Sequence, residues 1–516
     1  MLYESDHPQD LSYRTCTVNV KLLRSIGKLN ARLWLFLVSG ALCYGIVTQT
    51  SAKARRPTGD QRSVRVTAQA QARTVAEQTG SRRTVSAERF AGANICAKIN
   101  AAGAALGAQA GTIIAPNGGG QCGETAIRVA ANHKLVLGKG VYSFKTRGVP
   151  LLLDSDATLE GRGWETIIEE SSVPRQFTAI QNYANNVSNG ATSRNIHIRN
   201  LQVKGAQPPG VYDSTDQAVS LGNCHNCSVE NVFFNETNAI GLQFGASSTL
   251  GSDPGPDLQA RGITQALGRY ADQVTVRNCL FYRVASQNLA LVNGQNVVFE
   301  KNTFKDPYQN EAGVAGPYVQ ILDLECNEAN DRLFNVVIAG NTLDATNSLG
   351  NSTGYSINGI AVNATAGTGR NILVKNNTLI GGPLKTDAQG TPGAKMLWGI
   401  VVAAGGGSIR DVTVTGNVMQ KLGAPALALY GAKNIEIHDN LAVSTATSGF
   451  SAIYIEGSTN NKIYRNVLRK DPQTTCSCSV EITEVDGSDR NTYWENTGGR
   501  PTLAGKASKI ISHTAP

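Results

Sequence analysis

Apolar and polar residues alternate along this chain in short bursts. Nine triplets place apolar residues at i and i+2: Val219-Ser220-Leu221, Leu242-Gln243-Phe244, Leu289-Ala290-Leu291, Leu322-Asp323-Leu324, Ile360-Ala361-Val362, Ile400-Val401-Val402, Leu427-Ala428-Leu429, Ile453-Tyr454-Ile455 and Val480-Glu481-Ile482. Period two over so few residues predicts short strands. Between them, an asparagine closes a second apolar pair ten times: Ile196–Asn200, Val229–Asn231, Val274–Asn278, Val297–Asn302, Val336–Asn341, Ile372–Asn377, Val412–Asn417, Ile435–Asn440, Ile463–Asn466 and Thr492–Asn496. Successive asparagines lie 31, 47, 24, 39, 36, 40, 23, 26 and 30 residues apart. A floor near 23 with variable excess is the spacing of a coiled solenoid whose loops vary while its turn stays constant.

No strand here is long enough to bury its own apolar face, so only stacked coils close a core. No 10-to-15-residue helical pattern separates the strands, which argues against alternating β and α units. Asparagine suits the shared corner because it tolerates the left-handed backbone and its amide bonds the neighbouring turn. Stacked, these side chains predict a ladder.

The amino-terminal part sharpens this reading. Asn94-Ile95-Cys96-Ala97-Lys98-Ile99-Asn100-Ala101-Ala102 reads as a short helix, followed by Gly111-Thr112-Ile113, Gly140-Val141-Tyr142 and Leu159-Glu160-Gly161-Arg162-Gly163. This order resembles the start of rhamnogalacturonase- and epimerase-like domains of the pectate-lyase superfamily, and the resemblance extends over residues 91–500. It implies an all-β fold, a right-handed single-stranded parallel β-helix with a short N-terminal capping helix, and a polysaccharide partner. It does not carry an activity. The N-T-D, D-D, G-H-G and R-I-K strings of polygalacturonases are missing, as are W-x-D-H and R-x-P-x-R of calcium pectate lyases.

In a solenoid, residues beyond the minimal coil mark loops that build a binding face. The excess is concentrated between about residues 205 and 400. Inside that stretch Gln320-Ile321-Leu322-Asp323-Leu324-Glu325-Cys326-Asn327 places two acids among apolar residues. With Leu322 and Leu324 inward, Asp323 and Glu325 are expected to point outward together, about 7 Å apart by strand rise. Like charges so held raise one pKa, as acid/base work on a glycosidic bond requires. Asp323 and Glu325 are thus the candidate catalytic residues, and with Asn327 they are also the oxygen ligands a Ca²⁺ ion would take. Around them Asp216, Gln217, Gln243, Gln287, Asn288, Asn327, Arg261 and Trp398 are the candidate substrate-binding residues. The amides suit hydroxyl-rich ligands, Trp398 a sugar ring, and Arg261 proton abstraction if the reaction is an elimination. The rival reading is a non-catalytic cell-surface or adhesive solenoid.

Charge and cysteines change the picture at the front. Lys21, Arg24, Lys28 and Arg32 precede the apolar run Leu33–Val47, and Thr50-Ser51-Ala52 offers a cleavage site. Residues 1–52 therefore read as a signal peptide with a long n-region, whose apolar run Leu33–Val47 is short for a membrane span of about 20 residues. Residues 53–90 are basic and read as a disordered linker before a β-helix domain over 91–516. The formal charge is +8, but residues 1–90 hold 14 basic and 6 acidic side chains, leaving 33 of each in the body. A neutral body gives no footprint for nucleic acid. Location is expected to be secreted, periplasmic or cell-surface; monomer and trimer stay open. Eight of the ten cysteines lie beyond the signal region, where disulfides are permitted. Cys96 and Cys122 flank the cap and are expected to pair. Cys224-x-x-Cys227 and Cys476-x-Cys478 suit local bridges or zinc half-sites, and Cys279 and Cys326 suit core packing.

Overall fold

The computed structural model describes residues 83–145, 149–170, 178–182, 192–205, 217–245, 270–307, 319–348, 357–382, 385–386, 392–393, 396–446, 450–473, 476, 478–485 and 487–512. The signal-peptide reading of 1–52 and the loop candidates Asp216 and Arg261 lie outside the described residues.

Each coil contributes one strand to a twelve-stranded sheet and further strands to a 26-stranded sheet. One turn of the tube, for example, runs through Leu289–Leu291, Gly294–Glu300 and Thr303–Lys305. Neighbouring coils pair in parallel and in sequence order, from Ile127–Val129 to Ile482–Glu484 along the twelve-stranded sheet. This is the right-handed parallel β-helix. Eight of the nine period-two triplets fall within its strands; the last is displaced, because Ile482-Thr483-Glu484, not Val480-Glu481-Ile482, pairs with Ile453-Tyr454-Ile455.

Side chains inside the tube stack on like side chains. Phe234, Phe281 and Phe304 lie face to face with centroids 4.4 and 4.7 Å apart, and rows such as Leu242, Leu289, Leu322, Ile360 and Ile400 are fully buried. Burying each such side chain stabilises by roughly 1.5–3 kcal/mol, relative to exposure. The cross-section is narrow where Gly359 passes the next coil. A Cβ there would lie 2.5 Å from the Gly399 carbonyl oxygen, so no side chain fits.

The asparagine ladder is present, but it divides the expected roles between two positions. Asn302, Asn341, Asn377, Asn417, Asn440 and Asn466 are buried. Each donates its amide to the next ladder Oδ1 at 2.9–3.1 Å, and that oxygen also accepts the backbone N–H of the donor residue. None of these six has a positive φ; the preceding residue does, as in Lys301, Gly340, Asn376, Gly416, Asp439 and Arg465. Asn200, Asn231 and Asn278 stand in that left-handed position, with φ of 58°, 52° and 55°. Register places Asn278 beside Lys301 and Cys279 beside Asn302. The buried ladder therefore begins at Asn302, whose Oδ1 accepts from the Cys279 N–H at 3.0 Å. Separate, exposed asparagine contacts join Asn296, Asn335 and Asn371 at another left-handed corner.

The helix α1 (Ile95–Leu106) closes the amino-terminal end. Asn94 caps it, accepting the Ala97 N–H at 2.8 Å. The Cys96–Cys122 disulfide ties it to the strand Gly118–Gly123. A covered end matters because an open coil would present unpaired strand groups. Cys224–Cys227 and Cys476–Cys478 are local disulfides, and Cys279 and Cys326 are buried thiols. A strand lies within the segment expected as linker. Arg83–Ser86 is a strand paired in parallel with Gly111–Ile114, because the first coil needs an edge partner. Among the described residues no helix is long and apolar enough to cross a membrane.

Two measurements follow from this architecture. Asn341→Ala should cost about 1–3 kcal/mol in denaturant unfolding, the penalty for orphaning buried groups. Asn371→Gly, which keeps the left-handed backbone of the exposed column, should stay within about 0.5 kcal/mol of the parent; equal effects would refute the distinction between the columns. Mass spectrometry of a non-reduced digest of exported chain should recover the Cys96–Cys122 linked peptide, and finding both thiols free would contradict the tied cap.

Candidate functional site

The twelve-stranded sheet arranges outward-side residues in columns. In one, Ser220, Gln243, Ala290, Asp323, Ala361, Val401, Ala428 and Tyr454 follow one another coil by coil. In the next, Glu325, Asn363, Ala403, Tyr430 and Glu456 do so. A third contains Gln320, Asn358 and Trp398, with Gln287 two residues ahead of Leu289, the partner of Leu322. Steps within a column are about 4.8 Å. The fold thus brings Gln243, Gln287, Asp323, Glu325 and Trp398 onto one face, and adds Gln320, Asn358 and Asn363.

Asp323 departs from expectation. Alternation does put it opposite Leu322 and Leu324, yet it is 0 % exposed. Ala290 and Ala361 flank it in register, and the Gln287 amide donates to its Oδ2. Its Oδ1 is buried without a hydrogen-bond partner. Glu325 keeps partial exposure. The outward pair is therefore a buried acid, reached by the Gln287 side chain, beside a partly open one.

Burial is the main cause that raises the Asp323 pKa well above the usual carboxylate range, and the Glu325 charge adds to it, against the Gln287 hydrogen bond. Glu325 is also raised, first by burial and further by Asp331; Asn327 and Gln287 act the other way by bonding its charged form. Gln287 thus serves both carboxyls. Asp331 is itself held by the Asn327 and Glu328 N–H groups at 3.1 and 3.0 Å and by the Asn293 amide at 3.1 Å. Neither Asp323 nor Glu325 forms an ion pair among the described residues.

Asn288 is also corrected. It was expected to face a ligand, but it is fully buried, and both amide atoms lack partners. Its place at the corner ahead of Leu289 puts it beneath the face. Gln217 is partly exposed in the strand Gln217–Leu221, at the far end of the face from Trp398. Asn327 is partly exposed beside Glu325. Glu325, Asn327 and the buried Asp323 are the oxygens that a Ca²⁺ ion, which takes six to eight, would draw on here. No group of three or more His, Cys, Asp and Glu suited to a metal occurs among the described residues.

Trp398 belongs to a cluster that its position alone did not reveal. Its ring lies 6.2 Å from Tyr430 and 5.5 Å from Phe450, and Tyr454 lies 5.8 Å from Tyr430 and 6.3 Å from Phe450. Phe450 is 40 % exposed. Tyr430 and Tyr454 were readable as the outward residues of their period-two strands. Phe450, in a turn, carried no such signal.

No protein-family model matches this chain, and no curated protein matches it. Solved structures do. The A-module of mannuronan C-5 epimerase AlgE4 from Azotobacter vinelandii is 15 % identical over 83 % of this chain and 100 % of its own, with a TM-score of 0.52. The AlgE6 A-module of the same organism is 15 % identical over 83 % and 97 %, with a TM-score of 0.45. The catalytic unit of a GH87 alpha-1,3-glucanase from Streptomyces thermodiastaticus is 16 % identical over 82 % and 70 %, with a TM-score of 0.47. At these identities the likeness to the AlgE4 module is one of fold, and the fold this chain shares with it is the parallel β-helix.

Proposed function

We propose that this chain is an exported, carbohydrate-active β-helix protein that binds a polysaccharide along the twelve-stranded sheet and cleaves or modifies it at Glu325. The carrying observation is the carboxyl pair itself. Asp323 is fully buried with an unpartnered Oδ1, beside a partly open Glu325, and neither has a described cation as partner. Burying unpaired acids costs stability, and such costs concentrate where a perturbed pKa is used. Similarity of fold to the epimerase module and the signal-peptide pattern at residues 21–52 support the same reading.

The roles follow from access. Glu325 reaches solvent, so it is the group that exchanges a proton with a bound glycan. Asp323 does not; it is a positioning residue that holds a proton and shares the Gln287 amide with Glu325. A carboxyl with a raised pKa donates a proton near neutrality, the property needed to protonate a leaving oxygen. Gln243, Asn327 and Asn363 supply hydrogen bonds to hydroxyls, and Trp398 a stacking surface.

Glu325→Gln should lower turnover of a cleaved or modified glycan by at least about 100-fold while leaving the melting temperature near that of the parent. Activity that only tracks the amount of folded protein would refute the role and favour the adhesive solenoid.

Asp323 carries a pH prediction. The folded chain holds a proton that the unfolded chain, with an aspartic acid pKa of about 3.9, releases. The stability associated with that proton is present below this value and is lost as pH rises toward the raised folded pKa. Asp323→Asn should therefore melt with the parent in acid and above it near neutrality. A variant less stable than the parent at neutral pH would show that Asp323 is a structural acceptor instead.

A further inference from the structure

The face that carries the carboxyl pair also has a definite charge character. Eight successive strands cross it: Gln217–Leu221, Ile240–Phe244, Leu289–Leu291, Val319–Cys326, Ile357–Ala364, Met396–Ala404, Leu427–Tyr430 and Ile453–Glu456. None contains Lys or Arg. They contain three acids, Asp323, Glu325 and Glu456. Glu456 stands three coils beyond Glu325's neighbour Asn363 in the same column, and it accepts the Tyr454 hydroxyl at 3.0 Å.

Two further features are positive. The side chains of Gln243 and Asn363 keep partial exposure on the face, so it offers amides to a ligand's hydroxyls. Four coils along the column from Asp323 stands Tyr454, about 19 Å away at one strand spacing per coil. There it joins Trp398 and Phe450, with the buried Tyr430 beneath them, in the aromatic cluster. Aromatic rings present flat apolar faces with polar edges, which suit the C–H face of a sugar.

We infer that the ligand is an uncharged polysaccharide lying parallel to the helix axis, with its reacting sugar at Glu325 and a distal sugar stacked on the Trp398–Phe450–Tyr454 platform. This inference rests on the proposed carbohydrate site and narrows its substrate class. A uronate polymer would bring repeated carboxylates against Glu456 with no Lys or Arg on these strands to offset them, a like-charge juxtaposition that costs binding energy in a partly desolvated cleft. A neutral glycan has no such cost. Its hydroxyls bond the Gln243 and Asn363 amides, and its ring faces cover the platform.

Affinity electrophoresis of the full chain discriminates the cases, with mixed-linkage β-glucan, α-1,3-glucan, mannan and xylan as neutral probes and polygalacturonate and alginate as uronate probes. Retention by at least one neutral glycan is expected, little changed when ionic strength is raised tenfold, because uncharged ligands are not screened. Phe450→Ala and Trp398→Ala should each weaken that retention about tenfold. The Phe450 variant, altered at an exposed ring, should keep its melting temperature. Retention by the uronate polymers alone, lost on adding salt, would overturn the uncharged-ligand inference and leave the carbohydrate site standing. Retention by neither class would overturn both. Neutral retention unaffected in both aromatic variants would overturn the platform.

Discussion

The whole molecule depends on backbone hydrogen bonding between coils. A three-residue strand such as Leu289–Leu291 buries little by itself; parallel pairing on both sides turns a stack of such strands into a continuous wall. Every other feature takes its place from that pairing. It fixes the rows of Leu, Ile and Phe inside, aligns the asparagines at the corner, and sets Asp323 between two alanines outside. Stability in such a tube is a sum over neighbouring interfaces more than over distant contacts.

The corner shows how a polar side chain serves this arrangement. A ladder asparagine such as Asn341 binds the backbone of the preceding coil through both its oxygen and its amide, and the amide also donates to Asn377 of the following coil. The residue before it absorbs the left-handed turn, so glycine, lysine or aspartate can stand there. Upstream of Asn302 the ladder gives way to Cys279 and Val232 in the same register, with the Phe234–Phe281–Phe304 stack inside the tube. The two halves thus draw on different interactions to hold the same geometry.

The fold was legible in the chain because period two and a fixed asparagine spacing are local consequences of a strand and a turn. The one-residue offset between Asn278 and Asn302 was not, since both asparagines close similar apolar pairs; only cross-coil register separates them. Alternation likewise tells which side of a strand Asp323 occupies. It does not tell that Gln287, 36 residues earlier, folds over it, and so the expected exposed pair became a buried acid with an open neighbour. Asn288 failed for the same reason at a corner, where the alternation of a straight strand ends. The aromatic cluster joins Trp398, Tyr430, Phe450 and Tyr454 across three coils, and a linear reading sees only one ring at a time.

The parallel register also makes the outer columns of the twelve-stranded sheet a ruler. Backbone pairing fixes the division at about 4.8 Å, and no side-chain substitution can lengthen or shorten it. Such a surface can change what it recognises only by rewriting the mark at a given division, as where alanine stands beside Asp323 and tyrosine three divisions beyond Ala361. Selectivity for the period of a repeating ligand then resides in the main chain, and selectivity for its chemistry in a few replaceable side chains.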